Sequence, residues 1–310
     1  MAIDVWIPGD TGAEYRALVP REAEIHDLPM TGELPGHLGH ADILVADFRW
    51  HRSIEAIPRL EGLQVLQSLS AGVDAIAGRV PPHVTLCDAA GVHDIPVAEW
   101  VIAAILASRH RFPEYVSAQA AGRWLNQGVD VTGGGADLDG TTTLIIGHGS
   151  IGRAVEERLR PFGVEFLRVA RSARAGVATI ADLPALLPRA DIVVLLVPLT
   201  AETRGLVGPA FLGAMRRGAL LVNAARGGVV DTGALVQALK AGRITAALDV
   251  TEPEPLPDGH PLWSCPGLFI TPHVAGAVTG LPERAWRLVA GQVGRYLRGE
   301  PLLNVVADGY

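Results

Sequence analysis

The stretch Leu144-Ile145-Ile146-Gly147-His148-Gly149-Ser150-Ile151-Gly152-Arg153-Ala154-Val155 decides how the rest of the chain is read. It reads as a buried strand, a GxGxxG turn and the opening of a helix. Each glycine has a task. Gly147 permits the tight turn, Gly149 lets the backbone approach a pyrophosphate, and Gly152 lets helix and strand pack closely. The helix start then offers unpaired N–H groups and partial positive charge to that anion. A GxGxxG alone is weak evidence in a chain with 36 glycines; the strand before it and the helix after it make it a dinucleotide turn.

Outward from the turn, the next strand, Glu165 to Val169, should end in an Asp or Glu if the ribose hydroxyls of NAD are to be bound. Instead the chain continues Ala170-Arg171-Ser172-Ala173-Arg174. Two guanidinium groups and a hydroxyl, with no carboxylate to repel a 2′-phosphate, favour NADP(H), with NAD(H) still possible. The competing reading makes Arg171 and Arg174 a solvated loop.

Short apolar runs recur along the chain: Ile3 to Ile7, Ile43 to Ala46, Val65 to Leu69, Leu144 to Ile146, Phe166 to Val169, Ile192 to Val197, Ala219 to Val222, Ala246 to Val250 and Leu268 to Ile270. Separated by amphipathic stretches and continuous rather than alternating, they predict an α/β fold with parallel sheets covered on both faces. At 310 residues and 49% hydrophobic composition, two lobes are expected rather than one core. A helix is predicted from Val97 to Ala121, opened by Pro96 and closed by Gly122, and another from about Pro282 to Leu297. Gly133-Gly134-Gly135 reads as a loop.

A net charge of −7 and the absence of a basic block argue against nucleic-acid or anionic-membrane partners. Small molecules are the expected partners. Cys87 and Cys265, the two cysteines, suggest neither a disulfide framework nor a thiolate metal site. No targeting signal or membrane span is read, so a cytoplasmic setting is expected. The scattered histidines give no metal-ligand spacing.

Three later blocks each place one polar group after a strand, where open α/β sheets bind ligands. Val222 to Asp231 carries Arg226, Leu248 to Leu256 carries Glu254, and Ile270 to Gly276 carries His273. Singly, each has a bland reading: a surface ion pair, a solvated loop carboxylate, a structural histidine. Glu252 competes with Glu254.

Taken in order, these blocks resemble the D-isomer-specific 2-hydroxyacid dehydrogenases, a group that includes glyoxylate and hydroxypyruvate reductases. The resemblance also rests on Ser70-Ala71-Gly72-Val73-Asp74, Ala98-Glu99-Trp100, Gly122-Arg123-Trp124, the Val197 to Thr203 block, and His260-Pro261-Leu262-Trp263. It implies two lobes, Rossmann-like and flavodoxin-like. Residues 98–280 would form the cofactor domain, inserted into a substrate domain of 1–97 and 281–310. It makes Arg226, Glu254 and His273 the catalytic set, with Arg226 and His273 also touching substrate and cofactor. Glu254 is preferred to Glu252 because Pro255-Leu256 follow it. Ala71 and Gly72 would complete the substrate carboxylate site. Cofactor contacts are implied at Ser150, Ile151, Val197, Pro198, Ala224, Ala225 and Asp249, although Asp249 could instead cap a helix.

The resemblance further implies a homodimer, with the Val97 to Ala121 region as its face, and a small 2-keto or 2-hydroxy acid as substrate. Arg49 and Trp50 are expected to shape that pocket, with plain packing the other reading of Trp50. Two alternatives follow from the same kinship. One is a dinucleotide-binding corepressor; the other is a formate-type dehydrogenase, which pairs its histidine with glutamine where this chain has Glu254. His148 is read as a variant within the glycine turn, and His93 and His110 receive no role.

Overall fold

The computed structural model describes residues 2–48, 50–125 and 135–306. Arg49, Gly133 and Gly134, named above, lie outside them. The chain forms two compact units, one from Met1–His93 with Val278–Tyr310 and the other from Asp94–Ala277.

In the first unit, β1 (Ile3–Pro8), β2 (Ala23–Leu28), β3 (Ile43–Ala46), β4 (Val65–Ser68) and β5 (Thr85–Cys87) make a parallel sheet in the order β2-β1-β3-β4-β5. Its strands alternate their side chains between two cores. Val5, Ile7, Ile43 and Val45 pack with Trp286, Val289 and Val293 of the C-terminal helix Leu281–Leu297. Trp6, Leu44 and Ala46 pack on the other face. Two strands of this sheet were not among the apolar runs. β2, a sheet-edge strand, carries Glu24, His26 and Asp27, as a strand with one neighbour and partial solvation can. β5 has only three residues.

The second unit opens with α1 (Asp94–Arg109) and α2 (Phe112–Ala120). The single helix predicted over Val97 to Ala121 is therefore corrected to two. Arg111, at φ 58°, is left-handed and breaks it. Pro113 explains the break: in a continuous helix its ring would clash with the carbonyl four residues back, whereas in the first turn of a new helix its missing N–H would be unpaired anyway. Gly122, at φ 64°, ends α2 as expected.

Six parallel strands follow: β6 (Thr142–Ile146), β7 (Glu165–Val169), β8 (Ile192–Leu195), β9 (Leu220–Asn223), β10 (Thr245–Leu248) and β11 (Leu268–Ile270). Their order is β11-β10-β9-β8-β6-β7. The chain thus leaves β6 toward one edge and returns to continue toward the other. That reversal, a crevice between the carboxyl ends of β6 and β8, is where doubly wound sheets take ligands. Leu144 and Ile146 face one core with Val193 and Leu195, while Ile145 faces the other with Val194, Val155 and α1 residues Val101 and Ile105. Leu144, Ile145 and Ile146 are wholly buried, each contributing roughly 1.5–3 kcal/mol against exposure. This burial pins the strand from which the glycine turn springs. Both cysteines are free and buried. No helix among the described residues is long and apolar enough to cross a membrane.

Candidate active site

The glycine turn begins where β6 ends. Gly147 has φ 105°, and a side chain there would collide with the Leu196–Val197 backbone leaving β8. The residue is fixed as glycine twice, by conformation and by crowding. Gly152 lies in the first turn of α3 (Ser150–Leu159), against the carbonyl of Gly147. Gly149, by contrast, faces open space. Crowded glycines at both ends and an open one between them give a cradle that a pyrophosphate can enter, with Ser150 and Ile151 starting the helix behind it.

Around this turn the same sheet edge gathers the other predicted contacts. Val197 and Pro198 follow β8, and Val197 packs partly on the core. Ala224 and Ala225 follow β9. The loop after β7 holds Arg171, Ser172 and Arg174, all exposed. It folds back tightly: the Val177 N–H donates to the Arg174 carbonyl at 2.8 Å, Arg174 N–H to that of Val177 at 3.1 Å, and Gly176 takes φ 73°. Arg174 NH2 then donates to the His148 carbonyl at 2.8 Å, joining this loop to the glycine turn.

Arg226, Glu254 and His273 come from three successive strand ends. Asn223, 1% exposed, shapes the first loop. Its Nδ2 donates to the Arg226 carbonyl at 3.0 Å, and its Oδ1 accepts from Ala225 N–H at 3.0 Å. Gly227 has no room for a side chain, because Thr251 and Glu252 backbone atoms press on it. The Arg226 loop and the Glu254 loop therefore pack backbone to backbone. Asp249, 3% exposed, shapes the third loop. Its carboxylate accepts from Thr271 Oγ1 at 2.6 Å and from the N–H groups of Val274 and Ala275 at 2.9 Å each. Most of its lone-pair capacity is thus taken by the His273 loop, and no helix follows for it to cap. His273 itself is held at φ 54°, with its N–H donating to the Asp249 carbonyl at 2.7 Å. A left-handed histidine is costly and persists because the loop over-determines it.

His273 Nδ1 lies 2.5 Å from Glu254 Oε1. An ionised carboxylate only accepts, so Nδ1 carries the hydrogen and Nε2 is left for chemistry. The bond to Glu254 raises the His273 pKa, opposed by burial and by the Arg226 charge. The same bond lowers that of Glu254. Arg226 acts on both groups, so one cation, one carboxylate and one imidazole share a field. Such a set can hold an anion and exchange a proton beside it.

Ala71 and Gly72 sit after β4, in the first unit. Trp50 packs against that unit's core, the plainer of its two readings. Reasoning from sequence gave no role to Asn223 or to the Glu156 carboxylate of α3. Asn223 stands inside the block that flagged Arg226, directly at a strand end, and that position was its signal. Glu156 had none, because its partners His148 and Arg168 lie in different elements.

An open parallel sheet with a glycine turn at its switch point and an Arg, Glu and His on its carboxyl edge defines a dinucleotide-dependent oxidoreductase. The sequence profile of the D-isomer specific 2-hydroxyacid dehydrogenase NAD binding domain matches residues 102–275. A D-3-phosphoglycerate dehydrogenase of Methanocaldococcus jannaschii is 34% identical over 285 residues, 88% of this chain; the chain spans only 53% of that relative's length. A glyoxylate reductase of Thermofilum pendens is 36% identical over 283 residues, covering 88% of this chain and 83% of the relative. An NADPH-dependent glyoxylate/hydroxypyruvate reductase of Sinorhizobium meliloti, solved with NADP and sulfate, superposes with a TM-score of 0.82. It is 27% identical, over 98% of each chain. The chain belongs to the D-isomer specific 2-hydroxyacid dehydrogenase family.

Proposed function

We propose that the protein reduces a small 2-keto acid of the glyoxylate or hydroxypyruvate type to the D-2-hydroxy acid, using NADPH in preference to NADH. The observation that carries this reading is the 2.5 Å His273–Glu254 pair beside Arg226, on the sheet edge that bears the glycine turn. The bound dinucleotide supplies a hydride at C4 of its nicotinamide ring. His273, protonated, gives the proton on Nε2 to the carbonyl oxygen as the adjacent carbon accepts that hydride, and in oxidation it takes the proton back. Glu254 keeps the imidazole charged and correctly turned. Arg226 holds the substrate carboxylate and polarises the carbonyl through its planar fork, a geometry lysine lacks.

The cofactor preference rests on Arg171, Ser172 and Arg174 and on the lack of an acid after β7, and the NADP-bound relative supports it. The substrate class rests on the glyoxylate reductases among the relatives. A homodimer built on the α1–α2 segment fits its exposed Phe112, Val116 and, just beyond, Trp124, which is 93% exposed.

The test is oxidation of NADPH and NADH by purified protein with glyoxylate, hydroxypyruvate, pyruvate and a bulkier aryl keto acid. Turnover fastest with NADPH and a small acid is expected. Measurable dinucleotide binding with no turnover on any acid overturns the reading.

A further inference from the structure

His148 occupies the second position of the GxGxxG turn, yet its ring is nearly buried and fully engaged. Its Nε2 lies 2.8 Å from Glu156 Oε2 on α3, with side-chain exposures of 11% and 9%. Glu156 in turn accepts from Arg168 Nε at 2.6 Å and NH2 at 2.7 Å, and from Arg160. The Arg168 guanidinium, joined by His148 and opposed by burial, holds the Glu156 carboxylate down at about 2, so it stays an acceptor, and the ring hydrogen sits on Nε2. Nδ1 then turns toward Arg174, whose NH2 is 3.4 Å from it and 2.8 Å from the His148 carbonyl. The five groups line one cavity of about 510 Å³ with Arg153, Glu157 and Gly176.

Two consequences follow. Glu156 would attract Arg174 and repel a phosphate if it were bare; with Arg160 and Arg168 on it, it does neither. The clamped ring also fixes the carbonyl that receives Arg174, while the tight turn closed at Val177 fixes Arg174 from its own backbone. NH2 is used in this anchorage, and the guanidinium has further donors for a ligand.

We propose that His148, braced by Glu156 and Arg168, is a positioning residue that holds Arg174 at the mouth of the glycine turn and thereby sets the discrimination between NADPH and NADH. This rests on the reading above that Arg171 and Arg174 receive the 2′-phosphate.

The test compares KM for NADPH and for NADH in the full-length protein, its His148→Leu, His148→Gln and Arg174→Ala variants, and the His148→Leu/Arg174→Ala double variant. His148→Leu is expected to raise KM for NADPH about fivefold, the ratio carried by one ordinary hydrogen bond, and to leave KM for NADH within about twofold. Unchanged NADH kinetics also report an intact fold. Glutamine, which can donate to Glu156 and accept from Arg174, restores the NADPH value. In the double variant the His148 effect disappears, because there is no Arg174 left to position. Equal shifts for both cofactors, or full additivity in the double variant, overturn the proposal. A wild-type protein that prefers NADPH, with an NADPH-to-NADH ratio untouched by His148→Leu, overturns it alone. A wild type without preference overturns it together with the reading of Arg171 and Arg174.

Discussion

The second unit contains two histidine–glutamate pairs built to opposite ends. His273 and Glu254 stand on two loops, with side chains 48% and 42% exposed. His148 and Glu156 are nearly buried, and the carboxylate is shared with Arg168 and Arg160. The first carboxylate is half exposed and bonds the imidazole and the Thr251 backbone, so its charge is felt by the imidazole and the pair can carry a mobile proton. The second is saturated by guanidiniums and can only hold things in place. A histidine beside a glutamate is therefore not a catalytic signature by itself; what else the glutamate is bonded to decides its use.

The largest way to break this comparison is His273→Ala. It should lower kcat by about 10²- to 10⁴-fold, the range of a lost general acid, while dinucleotide affinity measured by fluorescence titration stays as it was. Wild-type turnover in that variant would put the proton donor elsewhere.

Glu254→Gln comes next, with a loss of roughly tenfold or more and a displaced pH profile. Reduction needs protonated His273, so the wild-type rate should fall as pH rises through the raised His273 pKa. Without the carboxylate that fall should begin at lower pH. A profile that does not move would detach Glu254 from the proton's path. Stability follows the same pair. Its contribution is complete between the ordinary glutamate and the ordinary imidazole values. It fades as pH falls from there through the lowered Glu254 pKa or rises through the raised His273 value.

The smallest catalytic effect is expected from Glu156→Gln, which should leave kcat with NADH within about threefold while lowering unfolding free energy by ~2 kcal/mol in urea titration, since Arg168 loses its partner. The wild-type contribution is present above the ordinary glutamate range and is lost as pH falls toward about 2. A large loss of turnover with unchanged stability would reverse the roles of the two pairs.

Much of this was legible in the chain itself. Continuous apolar runs announce strands covered on both faces, and the three-glycine turn is local: each glycine answers to neighbours fixed by the strand–turn–helix path. Arg226, Glu254 and His273 were legible as candidates because each follows a strand and parallel strands deliver their carboxyl ends to one edge, with the family resemblance choosing Glu254 over Glu252. The contacts that give these residues their character were not. Arg174 reaches the His148 carbonyl across 26 residues, and Asp249 holds the Val274 N–H across 25. Nothing in either sequence neighbourhood encodes the other.

The sequence by itself determined the fold class and the cradle and marked three polar residues as candidates, because hydrophobic period, glycine spacing and strand-end position are local quantities. Only the tertiary structure decided that Arg111 breaks the helix after the first lobe, that Asp249 fastens a loop, and that one His–Glu pair lies half exposed while the other is buried with two guanidiniums on its carboxylate. Those are matters of which distant groups saturate a given donor or acceptor, and saturation is settled by packing.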